Sequence, residues 1–153
     1  ERVEALGADL VINYREQDFA DEIRTYTQKR GVDVILDHIG GPYLASNLKA
    51  LAVGGRLICI GVTGGPKAEI NLALMMVKRQ QLIGSVLRSR SVEEKSDIIA
   101  AFSQSVMPFF ADRTIVPLIH QVYPLADAAE AHRSMQTSSH FGKLVLSVAP
   151  NLR

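Results

Sequence analysis

The chain has 153 residues, with 17 Lys+Arg against 16 Asp+Glu and a formal net charge of +1. Hydrophobic residues make up 47% and charged residues 22%, which suits about one globular domain and excludes a disordered chain. The near-neutral charge argues against a nucleic-acid partner, and Lys78-Arg79 and Arg88-Ser89-Arg90 are too short to form a basic tract.

The single cysteine, Cys59, excludes an internal disulfide framework and fits a reducing compartment, so a cytoplasmic location is expected. Apolar stretches such as Val32–Leu36 and Leu57–Val62 are too short to span a bilayer, and no membrane partner is expected. The chain opens mid-pattern, without Met, at Glu1-Arg2-Val3-Glu4-Ala5-Leu6-Gly7. That opening suggests processing, a recombinant segment or a partial chain.

In chain order, Glu1–Leu6 reads as the tail of a helix stopped by Gly7. Leu10–Tyr14 reads as a short buried strand. Asp18–Lys29 has the spacing of an amphipathic helix, with Phe19, Ile23 and Tyr26 on one face and Gly31 as its stop. Val32–Asp37 is a second strand. Gly40-Gly41-Pro42 breaks the pattern before a helix over Tyr43–Leu51, and Gly54-Gly55 reads as a turn. Arg56–Val62, apolar on both faces, is the clearest strand.

Thr63-Gly64-Gly65-Pro66 is a loop, Leu72–Arg79 a helix and Leu82–Leu87 a strand. Ser91-Val92-Glu93-Glu94 has the capping-box form and opens a helix to about Ala111, bent or ended early by Pro108. Ile115–Tyr123 is extended, Leu125–Gln136 an Ala-rich helix and Lys143–Val148 a final strand. No internal repeat or low-complexity linker interrupts the series. Apolar strands alternating with helices predict an α/β fold, a doubly wound parallel sheet joined by right-handed crossovers.

In such sheets ligands bind outside the carboxyl ends of the strands. Those ends are Asn13-Tyr14, Asp37-His38-Ile39-Gly40, Gly61-Val62-Thr63 and Ser85-Val86-Leu87. Gly61–Lys67 carries the glycines and the lysine of a phosphate loop but not their spacing, and no G-x-G-x-x-G occurs. His38, His120, His132 and His140 have no zinc-ligand spacing, and only His38 lies at a strand end. His132 reads as a packing or hydrogen-bonding residue and Cys59 as a small buried hydrophobe. Asp37 resembles a catalytic acid only loosely. Nothing in the order of Ser, His and Asp supports a hydrolase.

Ala5-Leu6-Gly7-Ala8-Asp9, Val11–Glu16 and Gly31–Asp37 with Ile39-Gly40-Gly41 resemble consecutive landmarks of the medium-chain dehydrogenase/reductase superfamily. Tyr123-Pro124-Leu125, Ala128, Ala131-His132 and Gly142–Leu146 resemble its C-terminal signature. Ile12-Asn13-Tyr14 and Leu87–Arg90 are similar to the quinone oxidoreductase branch, the zeta-crystallin relatives. The resemblance spans essentially the whole chain, and the order and spacing of the pieces make it specific.

That resemblance implies an enzyme that transfers hydride from NADPH to a quinone or α,β-unsaturated carbonyl, without zinc and without a protein nucleophile. It places Tyr14 beside the adenosine 2′-phosphate and Ile39 near the adenosine ribose. Ile60, Gly61, Val62 and Thr63 would run along the pyrophosphate and nicotinamide ribose, and Ser85, Val86 and Leu87 would meet the nicotinamide. Ser138 and Lys143 are weaker cofactor candidates. Strand Leu82–Leu87 is the edge through which family dimers join their sheets, so a homodimer is expected.

The family also implies a catalytic domain, a glycine-rich turn and two central strands that this chain does not contain. Residues 1–122 would be the C-terminal part of a dinucleotide-binding domain, and 123–153 a segment that returns onto the catalytic domain. Strand Leu10–Tyr14 would then lack a neighbour, and the chain alone would be inactive. Two related readings stand beside this one, an enoyl reductase and a zinc alcohol dehydrogenase. A third, of another class, is a non-catalytic structural or interaction protein that keeps the fold.

Overall fold

The first regular helix begins where an acceptor precedes an apolar run. In the computed structural model, which describes residues 2–137 and 140–148, the Asp18 carboxylate accepts from the N–H groups of Ala20 and Asp21 and opens α1 (Phe19–Tyr26). The helix stops three residues short of expectation, because Gln28 (φ 51°) and Lys29 (φ 68°) turn left-handed. Gly31 follows at φ 84°, and a Cβ there would lie 2.5 Å from the Ala50 carbonyl oxygen. Glycine is required at that position.

Strand β1 (Val32–Asp37) spans the residues expected of it. A 3-10 turn over Gly41–Tyr43 leads into α2 (Leu44–Ala50). Strand β2 (Leu51–Cys59) starts earlier and stops earlier than the apolar run suggests. Its pairing jumps from Val32↔Leu51 to Val34↔Arg56, so Gly54-Gly55 forms a bulge inside the strand and not a turn before it. Helix α3 (Leu72–Val77) is capped by Asn71, and β3 (Gln81–Gly84) follows. The strand expected over Leu82–Leu87 therefore ends at Gly84, and Ser85, Val86 and Leu87 lie in the loop beyond it.

The three strands are parallel in the order β1-β2-β3. Two compact units divide the chain, Glu1–Arg90 and Ser91–Arg153. In the first unit the core is Leu48, Leu51 and Leu57, with Val32, Ile35, Leu44, Cys59 and Leu74 packed against it. On the opposite face Leu36, Ile58 and Ile83 stand side by side in the pairing register.

The segment Leu10–Tyr14 is not a strand. Asn13 and Gln17 close a turn there: Asn13 N–H donates to Gln17 Oε1 at 2.9 Å, and Arg15 N–H to Asn13 Oδ1 at 3.2 Å. A ladder needs a partner strand, and the sheet of described residues ends at β1 on that side. The local side-chain bonds take the backbone instead.

In the second unit the capping box forms as spelled: Ser91 Oγ accepts from Glu94 N–H, and Glu94 Oε2 accepts from Ser91 N–H. Helix α4 (Val92–Ser105) ends before Pro108, which sits in the first turn of α5 (Met107–Ala111). Strands β4 (Ile119–Pro124) and β5 (Lys143–Ser147) pair in parallel around α6 (Ala128–Gln136), which follows a 3-10 turn over Leu125–Asp127. Among the described residues of this unit, Tyr123 and Ala131 are the buried ones. His132 is exposed on α6. Ser138 lies outside the described residues.

Candidate functional site

The C-terminal end of the β1-β2-β3 sheet is organised by one buried carboxylate. Asp37 is 5% exposed. Its Oδ1 accepts from Ile39 N–H at 2.8 Å, and its Oδ2 from Gly40 N–H at 3.1 Å and Asn47 Nδ2 at 3.2 Å. The carboxylate thus folds the loop after β1 back onto α2. A buried, triply bonded carboxylate is a structural anchor, so the faint likeness of Asp37 to a catalytic acid dissolves. Asn47, its side-chain partner, carried no sequence signal beyond its place one turn into a helix.

The loops after β1 and β2 are zipped together from there. Ile60 N–H donates to the Asp37 carbonyl at 2.7 Å, Thr63 N–H to His38 at 3.0 Å, and Gly64 N–H to Ile39 at 2.9 Å. Thr63 Oγ1 donates to the same His38 carbonyl at 3.0 Å. Gly41 N–H closes the zipper on the Gly65 carbonyl at 2.8 Å. The contact is close: a Cβ on Gly61 would lie 3.0 Å from the His38 oxygen, and one on Gly40 2.8 Å from the Gly65 oxygen. The third loop joins when Ser85 N–H donates to the Cys59 carbonyl at 2.9 Å.

Ile39, Ile60, Gly61, Val62, Thr63 and Ser85 are therefore gathered at one end of the sheet, with Val86 and Leu87 continuing from it. Ile60, Val62, Val86 and Leu87 expose their side chains. Beside them a groove of about 220 Å³ follows the outer edge of β1, between Phe19, Ile23, Leu36, His38, Ile39 and Tyr43. The Phe19 and Tyr43 rings meet there with centroids 5.0 Å apart.

Tyr14 lies elsewhere, in the turn that replaced its strand. It is 63% exposed, with the Arg15 guanidinium 6.0 Å from its ring centroid. Lys143 opens β5 in the second unit. Burial, and then the neighbouring Asp37 charge, push the Cys59 thiol above the ordinary thiol range. Among the described residues no three of His, Cys, Asp and Glu come together as a metal ion requires. The described residues offer no donor set for a zinc ion. No helix of the described residues is long and apolar enough to cross a membrane.

Parallel strands with crossover helices, and loops converging at the strand C-termini, define an α/β domain of the dinucleotide-binding type. Comparison with known proteins gives the family. The chain belongs to the medium-chain dehydrogenase/reductases: the family model described as zinc-binding dehydrogenase matches residues 6–146. It is 33% identical over 141 residues to the quinone oxidoreductase of Rattus norvegicus, covering 92% of this chain and 41% of that protein. The crystal structure of an NAD-dependent alcohol dehydrogenase superposes with a TM-score of 0.79 at 33% identity, over 97% of this chain and 40% of that one. The apo JamJ enoyl reductase superposes with a TM-score of 0.74 at 28% identity, over 95% and 43%. The chain thus spans about two fifths of the length of the curated quinone oxidoreductases it matches, and it fits a C-terminal segment of such a protein.

Proposed function

We propose that this chain is the C-terminal part of an NADPH-dependent oxidoreductase that reduces a quinone or an α,β-unsaturated carbonyl. The observation that carries the reading is the convergence of Ile39, Ile60–Thr63 and Ser85 at the ends of three parallel strands. The relationship to quinone oxidoreductases supports the substrate class. NADPH supplies the hydride when bound. Ile39, Ile60 and Val62 offer an apolar surface against which its ribose and ring faces pack. Thr63 and Ser85 have their backbone held by neighbouring loops, so they meet the cofactor without having to be ordered first. Val86 and Leu87 flank the nicotinamide, and Tyr14 approaches the 2′-phosphate side.

The reaction needs no protein nucleophile and no zinc in this reading. By itself the chain holds one side of the site and does not turn over. Two copies join through the β3 edge, and the protein works in the cytoplasm.

Amide-shift mapping tests the proposal. Adding NADPH to the 153-residue chain should move the resonances of Ile39, Ile60–Thr63 and Ser85–Leu87. NADH should leave Tyr14 unmoved, and quinone should not be consumed. Saturable binding whose shifts fall elsewhere and leave those strand-end loops unmoved would sink the assignment.

An enoyl reductase is the second reading, favoured by the match to the JamJ enoyl reductase. A longer protein that contains this segment separates the two. Oxidation of NADPH by an enoyl thioester in preference to a quinone would select the enoyl reductase.

A further inference from the structure

The opposite end of the same sheet carries a cluster that this function does not use. A cavity of about 270 Å³ is lined by Arg24, Lys29, Arg30, Gly31, Lys49 and Lys78, together with Leu74 and no carboxylate. The cations come from four places in the sequence: α1, the turn after it, the end of α2 and the residue after α3. We propose that this cavity is a binding site for a polyphosphate anion, a diphosphate group or larger.

Charge balance supports the proposal. Arg30 is partly neutralised, since its Nη2 donates to Asp33 Oδ1 and Oδ2 at 2.6 and 2.7 Å and its Nη1 to the Gly31 carbonyl at 3.2 Å. Asp21 lines a second cavity that adjoins Arg24 and Lys29. These two carboxylates leave the five cations with an excess of positive charge.

One of the cations is fixed in place. Lys78 Nζ donates to the carbonyls of Lys49 at 2.8 Å and Leu51 at 2.7 Å, and more weakly to Leu48 at 3.4 Å. Burial, and then repulsion from Arg24, pull the Lys78 ammonium below the ordinary lysine range. An anion between the two would relieve that repulsion.

The backbone is committed to the same place. Gln28 and Lys29 hold consecutive left-handed conformations, at φ 51° and 68°. Non-glycine residues seldom adopt these, and such strain gathers at ligand clamps. Here it turns the chain so that Lys29 and Arg30 join Arg24 at one cavity.

The volume lies near the lower bound of about 300 Å³ for small-molecule pockets, which suits a compact anion. Arginine forks and lysine point charges are the usual phosphate partners. Because β1 separates the cavity from the strand-end loops by about 16–20 Å, a diphosphate there is not the cofactor's own.

Calorimetry of the 153-residue chain with sodium pyrophosphate at fixed ionic strength tests the site. Saturable binding is expected, with Kd raised at least tenfold in Lys29→Glu/Lys49→Glu. Lys67→Glu, beside the loops at the other end, should leave it unchanged. Amide shifts of the unmodified chain give a second readout and should centre on Lys29–Gly31 and Lys78–Gln80. Tighter binding of ATP than of pyrophosphate would point to a nucleotide source, and equal binding to a free polyphosphate. The site is overturned by absence of saturation, by equal weakening in Lys67→Glu, or by shifts confined to the strand-end loops.

Discussion

The Asp37 carboxylate and the Asn47 carboxamide, ten residues apart in sequence, meet at 3.2 Å in the buried corner between β1 and α2. The same carboxylate holds two loop N–H groups. Replacing it by Ala strands three donors at once. Asp37→Ala should lower unfolding stability by about 1–3 kcal/mol, and Asn47→Ala by less, because it frees only one bond. Urea unfolding of the two variants checks the order. Equal losses would show that the loop N–H groups find water and do not depend on the carboxylate.

Gly40 should be equally intolerant, for a different reason. It sits at φ 88°, and a Cβ would lie 2.8 Å from the Gly65 carbonyl. Gly40→Ala pushes the two loops apart at a cost of about 1–3 kcal/mol. Hydrogen exchange would locate the damage: the amides of Gly41 and Gly64, which bridge the loops, should exchange faster. Unaltered protection at Gly41 would mean that the zipper tolerates the side chain.

Local signals were legible in the residues, and non-local ones were not. The capping box at Ser91 and Glu94 needs only its own four residues, and it formed. Strand β1 is a run of apolar and β-branched residues and stands where its composition puts it. Leu10–Tyr14 has similar composition, yet a strand is made by its neighbour, and Asn13 and Gln17 closed a turn instead. The bulge at Gly54-Gly55 was equally hidden, because it is a matter of register against Val32 and Val34. For the candidate site, the strand ends were readable as places where loops converge. The zipper that joins them rests on backbone bonds between distant residues, and Asp37–Asn47 pairing depends on how α2 packs.

Cys59 offers a pH-dependent readout of the same corner. Its thiol is held above the ordinary range by burial first and by the Asp37 charge second. The folded chain therefore binds this proton more tightly than the unfolded chain does. The resulting stability is complete below the ordinary thiol range and is lost as pH rises through the folded-state value. Alkylation by iodoacetamide should accelerate at a higher pH in the native chain than in urea. Asp37→Asn should move the native profile part of the way back. Coincident profiles in native and denatured protein would contradict the burial argument.

The β3 edge carries the proposed association of two copies. Leu82 and Ile83 are exposed on a strand that pairs only with β2 among the described residues, and such an edge invites a second strand. Light scattering at micromolar concentration should give twice the 16.7 kDa mass of one chain. Leu82→Pro removes an edge donor and, more important, blocks close approach of a partner strand. It should shift the mass to that of one chain and raise the dimer dissociation constant at least tenfold. Leu82 pairs with Leu57 in the sheet, so Ile83→Lys, which leaves the backbone donor intact and places a charge on one face of the edge strand, serves as the gentler variant. A monomer in the unmodified chain, or a dimer that survives both substitutions, would move the interface away from β3.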